Sequence, residues 1–344
     1  MNYFEEKITA QNVKIIYEQV EPQPFIGEMF FPPVKQMGLE LNLIKGKDDA
    51  PVALVSANWD TDVLYRDRIG FEQLSAEMPF FKEAYKVDEL LRQKILTTME
   101  TYRSPLLREI YRDLRNLVIG ADVTAERMRM QILGTGTISI QENGVDKQYN
   151  YGFVSSKQIV TESTLWSATG AKPLESFIAR IKAYKNLTKK SAKYAIMNQD
   201  VFDKLIFSDE VSSYFKNNTS VPYPSEAERK AFVERITEVT ILVADDEFVK
   251  PRDTTKTLVP YYPKDRYTLV STLDLGETVY GSTPEEIDLL GGNSEVLTGE
   301  IVGTGVAVTT WKEPDPVGVN TKVSEVVLPS CPEIDKLYIV KVLA

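Results

Sequence analysis

Residues 104–133, SPLLREIYRDLRNLVIGADVTAERMRMQIL, constrain the possible folds more than any other stretch of this sequence. Leu107, Ile110, Leu114, Leu117, Val118, Ala121, Ala125, Met128 and Ile132 recur at three- and four-residue spacing, which puts them on one stripe of an α-helix. Arg108, Arg112, Arg115, Asp122, Glu126 and Arg129 are expected on its remaining surface. Ser104 can cap the start, Pro105 suits the first helical position, and Gly134 supplies a stop. About 28 residues rising roughly 1.5 Å each make a rod of roughly 42 Å. Ordinary globular helices have about 11–12 residues. A rod of this length reads as a spine that braces an extended molecule.

The flanks fit such a molecule. Residues 1–33 mix short apolar pairs with Pro22, Pro24, Pro32 and Pro33, and FIGEMFFPPVK crowds three phenylalanines together. This segment reads as an arm that binds something rather than as a compact unit. Leu39, Leu41 and Leu43 alternate as a half-buried strand does. KGKDDAP is a turn and PVALVSANWD a returning strand, so a two-stranded projection is expected before the spine. After the spine, Asn143-Gly144 marks a hairpin. From residue 172 the pattern changes to short helices and strands, with Pro173 opening a helix, Asn198 capping one, and Ser225 and Glu228 forming a capping box. This is an α/β unit of about 130 residues, a usual domain size. GVAVTTW, TKVSEVVL and KLYIVKVL then return to strand patterns.

Composition removes many chemistries. The 344 residues include no histidine, which excludes Ser-His-Asp and Cys-His catalysis and histidine-based metal sites. One cysteine, Cys331, makes no internal disulfide and reads as a small buried residue. A net charge of -10 argues against sequence-specific nucleic-acid binding, which needs clustered Lys and Arg. No apolar run approaches the roughly 18 residues of a membrane span, and MNYFEEKITA is no secretory leader.

The remaining candidates for chemistry are thin. Asp60, Asp62 and Asp67 lack the glycine and later glutamate of a calcium loop. Asp245-Asp246-Glu247 follows a strand pattern, where catalytic acids often sit, yet has no histidine or phosphate loop beside it. Gly134-Thr135-Gly136 and Gly303-Thr304-Gly305 fall short of a dinucleotide fingerprint. Lys45 and Lys47 are exposed turn lysines. No catalytic, cofactor-binding or metal-binding residue is therefore expected. What stands out is RDRIGFEQLSAEMPFFKEAYKVDE, residues 66–89. Arg66, Arg68, Phe71, Glu72, Glu77, Lys82 and Glu83 combine aromatics with both signs of charge, the composition protein interfaces favour. A loop folded over its own core would look similar.

The same stretch carries a family resemblance. Arg66 and Arg68, Gly70-Phe71-Glu72, Pro79 and Lys82 are arranged as in the extended loop of the lambda-like capsid protein E family of tailed-phage major capsid proteins. The order of elements is similar too, as is the end, TTWKEPDPVGVNTKVSEVVLPSCPEIDKLYIVKVLA, with its Trp, Pro-Asp-Pro turn and closing strands. The resemblance implies an α+β chain with the Hong Kong 97-type capsid fold. It implies an N-terminal arm over 1–30 and an extended loop over 31–85. A peripheral domain over 86–165 and 300–330 and an axial domain over 166–299 and 331–344 would follow. It further implies a major capsid protein that forms hexamers and pentamers of an icosahedral shell around phage DNA, in virions assembled in the bacterial host cytoplasm. A separate scaffold protein, a portal and a decoration protein are the partners it suggests. Alternatives are an encapsulin-type nanocompartment shell, a ring-forming tail-tube or adaptor protein, and a hydrolase using Asp245 or Asp246.

Overall fold

The spine is present and longer than its sequence signature. In this computed structural model, which describes residues 7–19, 25–46, 71–98, 100–142, 144–218, 224–250, 255–291 and 298–344, the helix runs over Glu100–Thr135, 36 residues. That corresponds to about 54 Å. Ser104 and Pro105 lie inside it rather than at its start. A proline this close to the beginning forfeits one amide bond, and the upstream residues still wind onto the same axis. Gly134 does not end the helix. Gly136 does, in the left-handed region at φ 76°, with its N–H donating to the Ile132 carbonyl at 2.8 Å.

The apolar stripe faces inward as its spacing predicts: Leu107, Ile110, Leu114, Val118, Ala121, Ala125, Met128 and Ile132 are all buried. The polar side is not all solvated. Glu126 is 1% exposed and Arg129 3%. A second layer covers them, and it comes from the N-terminal segment. The helix Ala10–Glu18, capped by Thr9 Oγ1 accepting from the Asn12 amide at 3.2 Å, buries Ala10 and Val13. The short helix Ile26–Phe30 follows, and Phe30 and Phe31 are fully buried. The expected outward-binding arm is, over these residues, a strap across its own chain. Its phenylalanines find enough apolar surface there without a partner.

A six-stranded sheet packs along the spine. Its order is Pro33–Lys35, Thr278–Tyr280, Val317–Pro329, Val306–Pro314, Thr298–Val302, and Phe80–Val87 also pairs with Val317–Pro329. The 13-residue strand Val317–Pro329 is its central member, and almost all of its side chains are buried. Next to it the hairpin Thr137–Glu142/Val145–Asn150 turns at Gly144, φ 79°; Asn143 lies outside the described residues.

The second unit has its own core. Its mixed sheet runs Ile159–Thr161, Tyr338–Lys341, Arg266–Val270, Tyr194–Met197, Thr240–Val243. The helix Pro173–Thr188 packs Phe177 and Tyr184 inward, and the Tyr267 ring lies between Trp166, stacked at 5.5 Å, and Phe177, edge-on at 5.2 Å. Asn198 caps Gln199–Ile206, and the Ser225–Glu228 capping box opens Glu226–Thr237. These short elements sit where their caps and periods predict. Cys331 is buried.

Candidate functional site

The chain from Glu40 to Val87 leaves the body as a ribbon and returns as part of it. Strands Glu40–Gly46 and Phe71–Glu77 pair antiparallel, from Glu40 opposite Glu77 to Gly46 opposite Phe71. Residues 47–70 between them, and with them Arg66, Arg68, Asp60, Asp62, Asp67 and Lys47, lie outside the described residues. Phe71 and Glu72 are in the ribbon, opposite Gly46 and Lys45.

The root of the ribbon is fixed by buried apolar groups and by polar contacts. Met78 is 3% exposed, and its N–H donates to the Leu39 carbonyl at 2.9 Å. Glu77 pairs with Lys147 of the hairpin at 3.1 Å. The Tyr149 hydroxyl donates to the Glu77 carbonyl at 3.0 Å. Burial, with the Glu77 carboxylate nearby, pushes the Tyr149 phenol up to about 12. Tyr149→Phe should therefore cost about 1 kcal/mol and speed amide exchange at Met78. Unchanged exchange there would show that this bond does not hold the root.

After Pro79 the chain becomes an edge of the large sheet, with Phe80 opposite Val326 and Val87 opposite Val319. Lys82 and Glu83 are exposed on this strand, and the Lys82 ammonium lies 5.5 Å from the Phe80 ring centroid. Lys86 pairs with Glu313 at 2.6 Å. An edge strand presents unpaired backbone groups, and its charged side chains limit which strands can add to it. The structure thus brings Glu77, Lys82 and Glu83 to the base of the ribbon. It separates them from Phe71 and Glu72, which pair further out.

The seam between strap and spine carries a polar cluster with no counterpart in the sequence reading. The Gly27 N–H donates to Glu126 Oε1 at 2.7 Å, and Arg129 donates from Nη1 to Glu126 Oε2 at 3.3 Å. Arg129 Nε–H also donates to Thr278 Oγ1 at 2.8 Å, whose own hydroxyl donates to the Phe31 carbonyl at 2.7 Å. The Tyr17 hydroxyl donates to Asp122 at 2.7 Å. Burial raises the Asp122 and Glu126 carboxyls, while Arg129 pulls both back down. Tyr17 and Tyr280 are pushed far above the usual phenol range, mainly by burial. The only prior signal for this site was the run of charged residues late in the spine.

The remaining sequence candidates stay apart. Asp245, Asp246 and Glu247 are exposed, with Asp245 accepting from Asn198 Nδ2 at 3.3 Å. Asp246 and Glu247 line a cleft of about 370 Å³ together with Phe25, Phe248 and Tyr261. Among the described residues no group of three or more acidic or cysteine side chains could hold a metal, and no helix is long and apolar enough to cross a membrane.

Known proteins place this geometry. The family model described as phage major capsid protein E matches residues 10–342. No curated protein sequence matches the chain. Among solved structures, a prophage capsid protein from Escherichia coli CFT073 aligns at 14% identity and a TM-score of 0.61, covering 98% of this chain and 99% of that one. A phage-related protein from Bordetella bronchiseptica RB50 aligns at 11% identity and 0.56, covering 97% of each chain. A chain of the satellite phage P4 procapsid, whose structure includes the size determination protein, aligns at 9% and 0.50, covering 98% and 91%. At these identities the likeness shows the fold alone.

Proposed function

Because the chain belongs to the phage major capsid protein E family and has the Hong Kong 97-type fold, it is a shell-forming phage head protein, and we propose that residues 66–89 are the surface with which it clasps neighbouring copies. The observation that carries this reading is the ribbon itself. It leaves the body at a buried, hydrogen-bonded root, and Lys82 and Glu83 sit exposed on the adjoining sheet edge. Arg66, Arg68, Phe71, Glu72 and Glu77 add further aromatic and mixed-charge residues to the same stretch of sequence. Mixed charge fixes register and rejects wrong partners while each contact stays individually weak. Such contacts can be undone during assembly.

The arm then corresponds to residues 1–30, docked as the strap over its described part, and the extended loop to 31–85, although Pro33–Lys35 and the residues from Phe80 onward are strands of the body's sheet. Residues 86–165 and 300–330 form the peripheral domain, to which Thr278–Tyr280 lends a strand. Residues 166–299 and 331–344 form the axial domain, supported by the separate core around Phe177, Tyr184 and Tyr267. Copies meet through the axial domains in hexamers and pentamers of an icosahedral shell that encloses the phage DNA. The acidic balance of -10 suits a wall along which packaged DNA slides. Assembly takes place in the host cytoplasm with a scaffold protein, a portal and a decoration protein as partners, and the chain carries no catalytic activity. The family match favours a phage head over an encapsulin-type compartment or an Asp245/Asp246 hydrolase.

Arg68→Ala and Phe71→Asp test the clasp. Both variants should stay soluble with an unchanged unfolding transition, while shell yield by negative-stain microscopy and sedimentation falls at least about tenfold, the effect of about 1.4 kcal/mol at a contact. Loss of the soluble subunit, or shells at full yield, would count against the assignment.

A further inference from the structure

Glu325 is the one acidic residue of the central strand Val317–Pro329 whose side chain is sealed in the core, at 2% exposure. Neither of its carboxylate oxygens has a hydrogen-bond partner. Leaving a charged carboxylate in that state costs far more than leaving a neutral acid there. Its charged neighbours pull in opposite directions, Asp122 against the charged form and Arg129 for it. The spine directs both Asp122 and Arg129 at it, with Glu126 bound to the same guanidinium. The strand Thr278–Tyr280 contributes the Tyr280 phenol, and across the sheet the residue opposite is the uncharged Phe81. From the strap, Glu28 and Tyr17 face Asp122. One guanidinium thus stands among carboxyls from three parts of the chain.

We propose that Glu325 is a proton-operated latch: it is held as the neutral acid while the strap is docked, and its ionisation draws Arg129 from Glu126 and loosens the strap from the spine. The chemistry is a single proton transfer from the carboxyl to water. The resulting carboxylate competes for Arg129, which otherwise orders the Glu126 carboxylate that receives the Gly27 N–H. Burial first, and the Asp122 charge second, hold the Glu325 carboxyl well above the ordinary carboxylate range, against the pull of Arg129. For an acid raised in the folded state, the stabilisation of the docked form is complete below the ordinary range and is lost as pH rises through the raised value. The strap should therefore be tightest in mild acid and loosen toward alkaline pH. This concerns docking within one chain, so it stands or falls independently of how copies assemble.

Hydrogen exchange on the full-length subunit between pH 5 and pH 9, corrected for intrinsic amide rates, tests it. In the unsubstituted protein, protection at residues 10–18 and at Gly27 should fall by up to about tenfold per pH unit between the ordinary carboxylate range and the raised value and level off above it, as a single-proton linkage requires. Glu325→Gln and Glu325→Leu should each flatten that profile, and either suffices if the other fails to fold. Glu325→Asp should keep the slope with a moved midpoint. A flat profile in the unsubstituted protein, or the original slope in the Gln or Leu variant, overturns the proposal.

Discussion

Gly27→Val is expected to detach the N-terminal strap from the spine and lower subunit stability by about 2–4 kcal/mol, combining overpacking with a lost buried hydrogen bond. The backbone of Gly27 approaches so closely that a Cβ would lie 2.7 Å from Arg129 Cβ and 2.7 Å from Glu126 Oε2. Neither atom can retreat. Arg129 Cβ is tied to the helix backbone, and the Glu126 carboxylate is held between the Gly27 amide and the Arg129 guanidinium. The strap must lift, which exposes Phe30 and Phe31 and takes the Gly27 amide away from Glu126. Chemical denaturation should show a lower midpoint, and limited proteolysis should cut the strap first. Gly27→Ala should do the same to a smaller degree. An unchanged midpoint with a protected strap would mean that the seam is not formed in solution.

Arg129→Met should be at least as damaging, at about 3–5 kcal/mol, because it removes the cation from a buried pair and leaves the partner charge behind. The side chain is 3% exposed and joins two elements, donating from Nε to Thr278 and from Nη1 to Glu126. Methionine fills similar volume, so the loss would come from electrostatics and hydrogen bonding more than from a cavity. Arg129→Lys should rescue little, since a single ammonium cannot reproduce two directed N–H groups of the fork. The deficit has a sign in pH. Glu126 and Asp122 have raised carboxyls, so acid neutralises the groups left without Arg129, and the gap between variant and parent should narrow as pH falls. A deficit that grows in acid would show that Arg129 serves some other partner. Together with the strap substitution this separates steric from electrostatic docking. The steric deficit of the first variant should instead persist in mild acid, where the strap of the parent is docked.

Local signals read correctly where the chain determines its own structure. Asn198 and Ser225 cap the helices they were expected to cap, because a cap bond spans only two or three residues. The last strand, Tyr338–Lys341, forms where the KLYIVKVL pattern predicted one, because burial on both faces selects such residues. The spine's ends were misjudged by a few residues. Pro105 is tolerated inside the helix, and Gly136 rather than Gly134 has the positive φ. Composition singled out residues 66–89 as one stretch, but not that it divides. Phe71–Glu77 belongs to the ribbon, whereas Phe80–Val87 is an edge of the body's sheet.

What the sequence by itself determined is the rod, its apolar stripe, the short capped helices, the absence of histidine chemistry and the likeness to a shell protein. What only the tertiary structure decided is which charged residues of the rod are solvated. Glu126 and Arg129 occupy the polar side by period alone, and a segment 99 residues upstream in the case of Gly27 and Glu126 closes over them. Periodicity reports which face a helix buries against its first neighbour. It carries no information about a second layer, because whether a polar face is covered depends on where distant segments dock, and the free energy of a buried charge is set by those neighbours.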